Sequence, residues 1–464
     1  MSEKPNIILL YCDQLNARLL GFNGNKDIKT PNLDALAERS FVFDNAYCNN
    51  PICTPSRMSL LSGQYASTHG YYGLYGEEPH PLTSMFKTFS EQGYRCGALG
   101  KLHTPRYWVE KDADYVYDEF LEFPKYLEGA GLYEDNDNRF YEGVVTGKPS
   151  KLPYEHSCES ALAKLTLRFV NQNVEKNEKV KADEPWFAWV SFARPHQPYT
   201  PSEPFASLYP AESVFLPPVD DCEKDSVKNQ RSVVEEEKLR ECVSSYMGLI
   251  SQIDHSIGLI LKGLEDSGQL ENTILAFTTD HGDFAGEHGL YSKIGGISYK
   301  AVTKVPLFFC DFRNKINGRS DELIESVDVF PTICDMAGLE TPNTIQGFSF
   351  HKHINGKDQK KRSSALTENI HRKALATREY RYISNLENEK DELYDLINDP
   401  WEHNNLIDNE GYKDKVAEMS RLLLKRLSQA RKPYNSLNGF WYHHQYDDDG
   451  RMDTKNNAEP GAQW

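Results

Sequence analysis

The hydrophobic positions of this 464-residue chain gather in short, almost wholly apolar runs, separated by stretches with three- and four-residue spacing. Asn6-Ile7-Ile8-Leu9-Leu10-Tyr11 shows no polar alternation, the pattern of a central strand covered on both faces. Further strands are predicted at 41–48, 95–100, 185–192, 273–279 and 305–309. Helical patterns lie between them: 30–39, opened by Thr30-Pro31; 55–61, just after Cys53; 83–92, stopped by Gly93; and 158–170. The longest, 235–264, carries Val243, Tyr246, Met247, Ile250, Ile253, Ile257 and Ile260 on one face. Residues 107–141, rich in Tyr, Asp and Glu, break the rhythm and read as a surface excursion. The alternation predicts an α/β fold: a large mixed or parallel sheet sandwiched by helices. After about residue 350, strand-like 364–368 and 374–384 precede helical 412–427, which predicts a smaller C-terminal α+β subdomain. The expected division is 1–355 for the larger domain and 356–464 for the smaller, with a polar aromatic tail from 434.

Charge and composition narrow the function classes. A formal net charge of −17 argues against a nucleic-acid partner, which demands a basic footprint. No apolar run reaches the ~18 residues of a membrane span. The residues before Pro5 lead straight into a strand, with no basic segment, apolar segment and cleavage site, so the chain as given reads as cytoplasmic or as a trimmed form. Nine cysteines without a C-x-x-C pair fit buried reduced thiols rather than a disulfide framework.

Asp13 and Asp280-His281 both follow predicted strands, and in open α/β sheets ligands sit beyond the carboxyl ends of strands. Two carboxylates and an imidazole converging there suit a divalent metal. Taken singly, Asp13 reads better as a turn cap and His281 as a satisfied buried histidine; the metal reading gains when they are taken with the motif at Cys53. Cys53 precedes a helix whose free N–H groups favour an anion and a reactive thiolate, and Arg57 returns to the same face one turn later. A structural cysteine in an ordinary helix fits that pattern too.

Cys53-Thr54-Pro55-Ser56-Arg57 resembles the Cys-x-Pro-Ser-Arg maturation signature of the type I sulfatases, in the alkaline phosphatase superfamily. Thr30-Pro31-Asn32-Leu33-Asp34, Gly100-Lys101-Leu102-His103, Pro195-His196-Gln197-Pro198, Thr279-Asp280-His281-Gly282-Asp283 and Glu287-His288-Gly289-Leu290 with Lys293 resemble the family in the same order. The resemblance implies hydrolysis of a sulfate monoester by a formylglycine made from Cys53. It implies one divalent metal held by Asp13, Gln14, Asp280 and His281, with residue 53 completing the shell. Arg57 and Lys101 would hold the aldehyde hydrate. His103, His196 and Lys293 would contact the sulfate, with His196 the first choice of acid for the leaving alcohol and His103 the second. Gln14 departs from the commonest pattern, which has a second aspartate, and His281 stands where many members have asparagine. That Asp-Gln and Asp-His combination is similar to choline sulfatases and phosphonate monoester hydrolases. Calcium is the family habit, while the imidazole suits manganese.

The resemblance also implies a maturing partner, either a formylglycine-generating enzyme or an anaerobic sulfatase-maturating enzyme. The expected substrate is a small sulfated carbohydrate, with choline or aryl sulfate second. A phosphonate monoester hydrolase or phosphodiesterase on the same scaffold, or a non-catalytic sulfate-binding protein, are the competing classes. Specificity is expected from 107–141 and from the tail with Trp441, Tyr442, His443 and His444, which is also the candidate for packing on a second subunit. His69 reads as a turn cap or a residue lining the pocket mouth, His288 as structural or solvated, and His255 as structural.

Overall fold

A computed structural model of the chain describes residues 4–74, 76, 82–132, 147–171, 184–293, 297–359, 361–387 and 389–430. Its strands are β1 (Asn6–Asp13), β2 (Phe41–Tyr47), β3 (Arg95–Gly100), β4 (Tyr115–Asp118), β5 (Trp186–Pro195), β6 (Thr273–Thr279), β7 (Lys304–Asp311), β8 (Gly318–Glu325), β9 (Ala365–Glu368), β10 (Arg372–Ala376), β11 (Tyr380–Asn385) and β12 (Glu392–Asp395). The first eight form one sheet in the order β4-β3-β5-β1-β6-β7-β2-β8. Its neighbours run parallel except for β7, which is antiparallel to both β6 and β2.

The apolar run at 6–11 does form a central strand, and every residue of β1 is buried. Strand side chains alternate between faces. Ile8 and Leu10 enter one core under the long helix Glu236–Asp266, while Ile7, Leu9 and Tyr11 enter another, with Trp189 and the helices Cys53–Ser62 and Met85–Glu91. Two separately filled cores hold the strand ends rigid on both faces.

The expected excursion at 107–141 is corrected in part. Residues Tyr115–Asp118 pair in parallel with β3 as the edge strand of the main sheet, flanked by helices Arg106–Glu110 and Glu119–Gly129. The run is only four residues, all half-buried, too short to show a strand period against its acidic neighbours. Residues 133–141 and the tail from 434 lie outside the described residues. Helix 55–61 in fact starts at Cys53 itself. Strands β8 and β12 had no clear sequence signal: Gly318–Glu325 mixes five charged or polar residues into its run. No helix among the described residues is long and apolar enough to cross a membrane. The nine cysteines are free thiols, and all but Cys222 are buried.

Strands β12-β11-β10-β9 form a smaller antiparallel sheet, covered by the helix Lys413–Ala430 through Met419 and Leu423. It is fastened to the main sheet by buried charge. Glu325, at the end of β8, accepts from Leu366 N at 2.7 Å and from Arg426 Nη2 at 2.6 Å, and lies 3.3 Å from Arg362. Arg362 also forks onto Asp328. Removing one member of such a network leaves a buried charge without its partner. Arg362→Ala should therefore lower stability by about 3–5 kcal/mol, read from the denaturant midpoint.

Candidate active site

The site is built at the carboxyl ends of the parallel strands. β1 ends on Asp13, β6 on Asp280-His281, β3 on Lys101 and His103, and β5 on His196. Cys53 begins the helix that follows β2. Gly100 makes one of these exits possible: its φ is +100°, and a Cβ there would meet Ser191 O at 2.0 Å. The chain turns sharply enough for Lys101 N to donate to the same oxygen at 2.8 Å.

Asp13, Cys53, Asp280 and His281, separated by up to 268 positions, bring donor atoms within 4.8 Å of one another, all buried. Cys53 Sγ lies 3.8 Å from Asp13 Oδ1, 3.5 Å from His281 Nε2, 4.0 Å from Lys101 Nζ and 2.6 Å from Lys293 Nζ. No side chain caps the helix at Ile52, so its N-terminal dipole faces the site.

Arg57 does not reach into open space. Its guanidinium donates to Asp13 at 2.8 Å, Asp280 at 3.1 Å, Lys101 O at 2.7 Å and Ser191 Oγ at 2.8 Å, over the rings of Tyr11 and Trp189. It sets the two carboxylates. Lys101 adds a second cation 2.6 Å from Asp13.

The donor set fits a divalent metal. Gln14 Oε1 is buried without a hydrogen-bond partner, while Gln14 Nε2 donates to Asp283 Oδ2 at 2.6 Å. An amide with one end anchored and the other orphaned is poised as a ligand. His281 Nδ1 lies 2.9 Å from Gly282 O, which assigns the proton to Nδ1 and turns the Nε2 lone pair toward Cys53. Gln14 sits at φ 65°, a strained value held by Tyr246, whose hydroxyl donates to Gln14 O at 2.6 Å and accepts from Asn16 N at 2.8 Å.

Charge tunes these groups in opposite directions. Burial and Asp13 push the Cys53 thiol up, but Lys101 and Lys293 outweigh them and hold it well below the usual thiol range. Burial and the Asp13 charge push Asp280 up to about 6. Burial acts on Asp13 too, but Lys101 and Arg57 hold it well below the carboxylate range. Burial and Lys101 push His196 down to about 4 and lower His103 as well. His196 is thus neutral at neutral pH. His196 Nδ1 faces Gln197 O at 2.7 Å, and its Nε2 lies 4.0 Å from Asp13 Oδ1. His103 stacks on Phe120 with ring centroids 5.1 Å apart.

The profile of the sulfatase family, described as "Sulfatase", matches residues 5–339. The chain belongs to the sulfatase family. A second profile, "N-sulphoglucosamine sulphohydrolase, C-terminal", matches residues 286–431 of this sulfatase. It is 28% identical to an arylsulfatase of Clostridium perfringens over 94% of this chain and 97% of that protein. It is also 28% identical to a choline-sulfatase of Rhizobium meliloti, covering 88% of this chain and 83% of that one. Among solved structures, the phosphonate monoester hydrolase of Agrobacterium radiobacter superposes with a TM-score of 0.80 at 19% identity, covering 96% and 99% of the two chains. At that identity the likeness is one of fold.

Some supporting residues had no role assigned from sequence. Asp283, inside the quoted motif, accepts from Gln14 and from Tyr199 OH at 2.6 Å, and from Ala285 N and Ser292 N. Tyr246 was legible only as a helix core position. His69 is buried at the end of the short helix Ala66–His69: its Nδ1 accepts from Tyr71 N at 3.1 Å and its Nε2 meets Ser59 Oγ at 3.0 Å. If Gln14 Oε1 is a metal ligand, Gln14→Ala should weaken divalent-metal affinity at least ~10-fold, measured by competition with a chromophoric chelator.

Proposed function

We propose that this sulfatase hydrolyses a small sulfated carbohydrate with a formylglycine nucleophile derived from Cys53. The observation that supports it most directly is the position of Cys53 Sγ at an uncapped helix N-terminus, against Lys293, Lys101, Asp13 and His281. The sulfur stands for the hydroxyl oxygens of the hydrated aldehyde, which a formylglycine-generating or anaerobic sulfatase-maturating enzyme would install. One hydroxyl of that hydrate would bond the sulfate sulfur as the ester S–O bond breaks and the alcohol leaves. Loss of the second hydroxyl's proton would then re-form the aldehyde C=O, break the C–O bond to sulfate and free it, and water would restore the hydrate.

Asp13, Gln14, Asp280 and His281 would hold a divalent cation, which supplies Lewis-acid charge near the sulfate. Calcium is the family habit, and the amide and imidazole move the choice toward manganese. The chain's own cations carry the rest. Lys293 and Lys101 offset the negative charge that separates an anionic substrate from an anionic nucleophile, in a buried site where such interactions are strong. Arg57 keeps Asp13 and Asp280 fixed while that charge moves.

His196 is the proposed acid. Its Nδ1 is committed to Gln197 O, so Nε2 carries the transferable proton. Because the free imidazole is held near 4, the proton is taken up together with the sulfate anion, whose charge opposes the effect of Lys101. His196→Asn should cost ~10²–10⁴-fold on an alkyl sulfate but under ~10-fold on 4-nitrophenyl sulfate, whose leaving group needs no proton.

The sugar reading draws support from the sulphoglucosamine-type profile over 286–431, a stretch that includes Lys293. A choline sulfate substrate is the second reading, favoured by the Gln14 and His281 pairing and the choline-sulfatase relative. The test is turnover of 4-nitrophenyl sulfate beside the matching phosphate diester and phosphonate, on protein whose residue 53 mass is known. Sulfate should be preferred, and Cys53→Ala should lose at least ~10³-fold while keeping its fold. Preference for the phosphorus esters, or undiminished turnover in that variant, would overturn the reading.

A further inference from the structure

A second group of metal-binding side chains lies apart from the active site. Glu223, His288 and His403 come from three distant segments, and their donor atoms fall within 4.8 Å of one another. Glu223 follows the turn at 220–222, His288 lies in the short helix Glu287–Gly289, and His403 follows the small sheet's β12. His288 Nδ1 is 2.7 Å from Glu223 Oε1, and His403 Nε2 is 3.4 Å from the same oxygen.

The chemistry of the trio goes beyond an ion pair. His403 Nε2 is buried yet makes no hydrogen bond, and faces Glu223 Oε1 at ion-pair distance. His288 is held at φ 59°, a conformation costly for a residue with a Cβ, with its ring against Tyr299 at 4.6 Å and edge-on to His403 at 5.4 Å. Both rings are therefore fixed in orientation. Glu223 is likewise fixed from behind: Arg231 Nη1 donates to Oε2 at 2.5 Å, leaving Oε1 to the histidines. Cys222, next in sequence, commits its thiol to His403 O at 3.5 Å.

We infer that Glu223, His288 and His403 form a second metal site that takes zinc, separate from the active-site cluster. Two imidazoles and one carboxylate are a donor set that zinc accepts and calcium does not favour. Three protein donors leave a fourth position for water. Glu223 and His288 are 1% exposed, while His403 is 11% exposed and marks the side from which an ion enters. The ion bridges the loop after β12 to the segment that leads, five residues after His288, to Lys293. It therefore ties the small sheet to the loop carrying an active-site cation.

The test is the zinc content of chelator-stripped protein reloaded with zinc chloride and dialysed. Wild type should retain one equivalent more than His403→Ala, with the missing equivalent at least 10-fold weaker in the variant. Crystals of zinc-loaded wild type give a second readout that needs no variant. An anomalous peak between Glu223 Oε1 and His403 Nε2 supports the site, whether or not His403→Ala folds. Equal zinc content in the two folded proteins, or a peak confined to the Asp13 and Asp280 cluster, overturns it. Neither readout depends on sulfate turnover, so the assignment stands or falls apart from the proposed reaction.

Discussion

Two ionised carboxylates cannot lie side by side in a dry protein interior without a cation to hold them, and Arg57 meets that demand for Asp13 and Asp280. The guanidinium is wholly buried, with Tyr11 and Trp189 beneath it and the end of β3 and Ser191 of β5 in hydrogen-bond reach. Its planar fork matches several acceptors at once, which a lysine could not do. One side chain thus fixes the exits of four strands relative to each other. Because Arg57 is one turn from Cys53 in the same helix, fixing the carboxylates also fixes Cys53.

Around this centre, positive charge is distributed with separate duties. Arg57 is saturated by carboxylates and backbone oxygens, so it serves position. Lys101 and Lys293 approach Cys53 directly and lower its thiol pKa. This division explains how a chain of net charge −17 presents an anion with a locally cationic pocket. Burial shifts His196 down and Asp280 up, while Lys101 and Lys293 hold the Cys53 thiol down against it.

The outer supports are polar as well. Asp283 gathers Gln14, Tyr199, Ala285 N and Ser292 N, so Gln14 and the loop bearing Lys293 share one anchor. Tyr246 holds the strained backbone at Gln14 from the long helix. The small sheet is joined to the same framework through Glu325 and the Glu223 cluster. The site is therefore completed by parts of the chain that carry no chemistry themselves.

What the sequence determined was whatever depends on local pattern. Unbroken apolar runs became central strands, three-and-four spacing became the long helix, and the motif around Cys53 placed a cysteine at a helix start. Ordered motifs also marked Asp13, Lys101, His196, Asp280 and His281 as site residues. Weakly patterned elements were lost: β4 and β8 take their strand form from pairing with β3 and β2, a stabilisation that comes from neighbours distant in sequence. Only the tertiary structure decided that Arg57 faces the carboxylates rather than the nucleophile, that Gln14 Oε1 is left without a partner, and that Glu223, His288 and His403 meet. The reason is physical: hydrogen bonding and desolvation are set by the atoms packed around a group, and those atoms come from strands and loops hundreds of residues away.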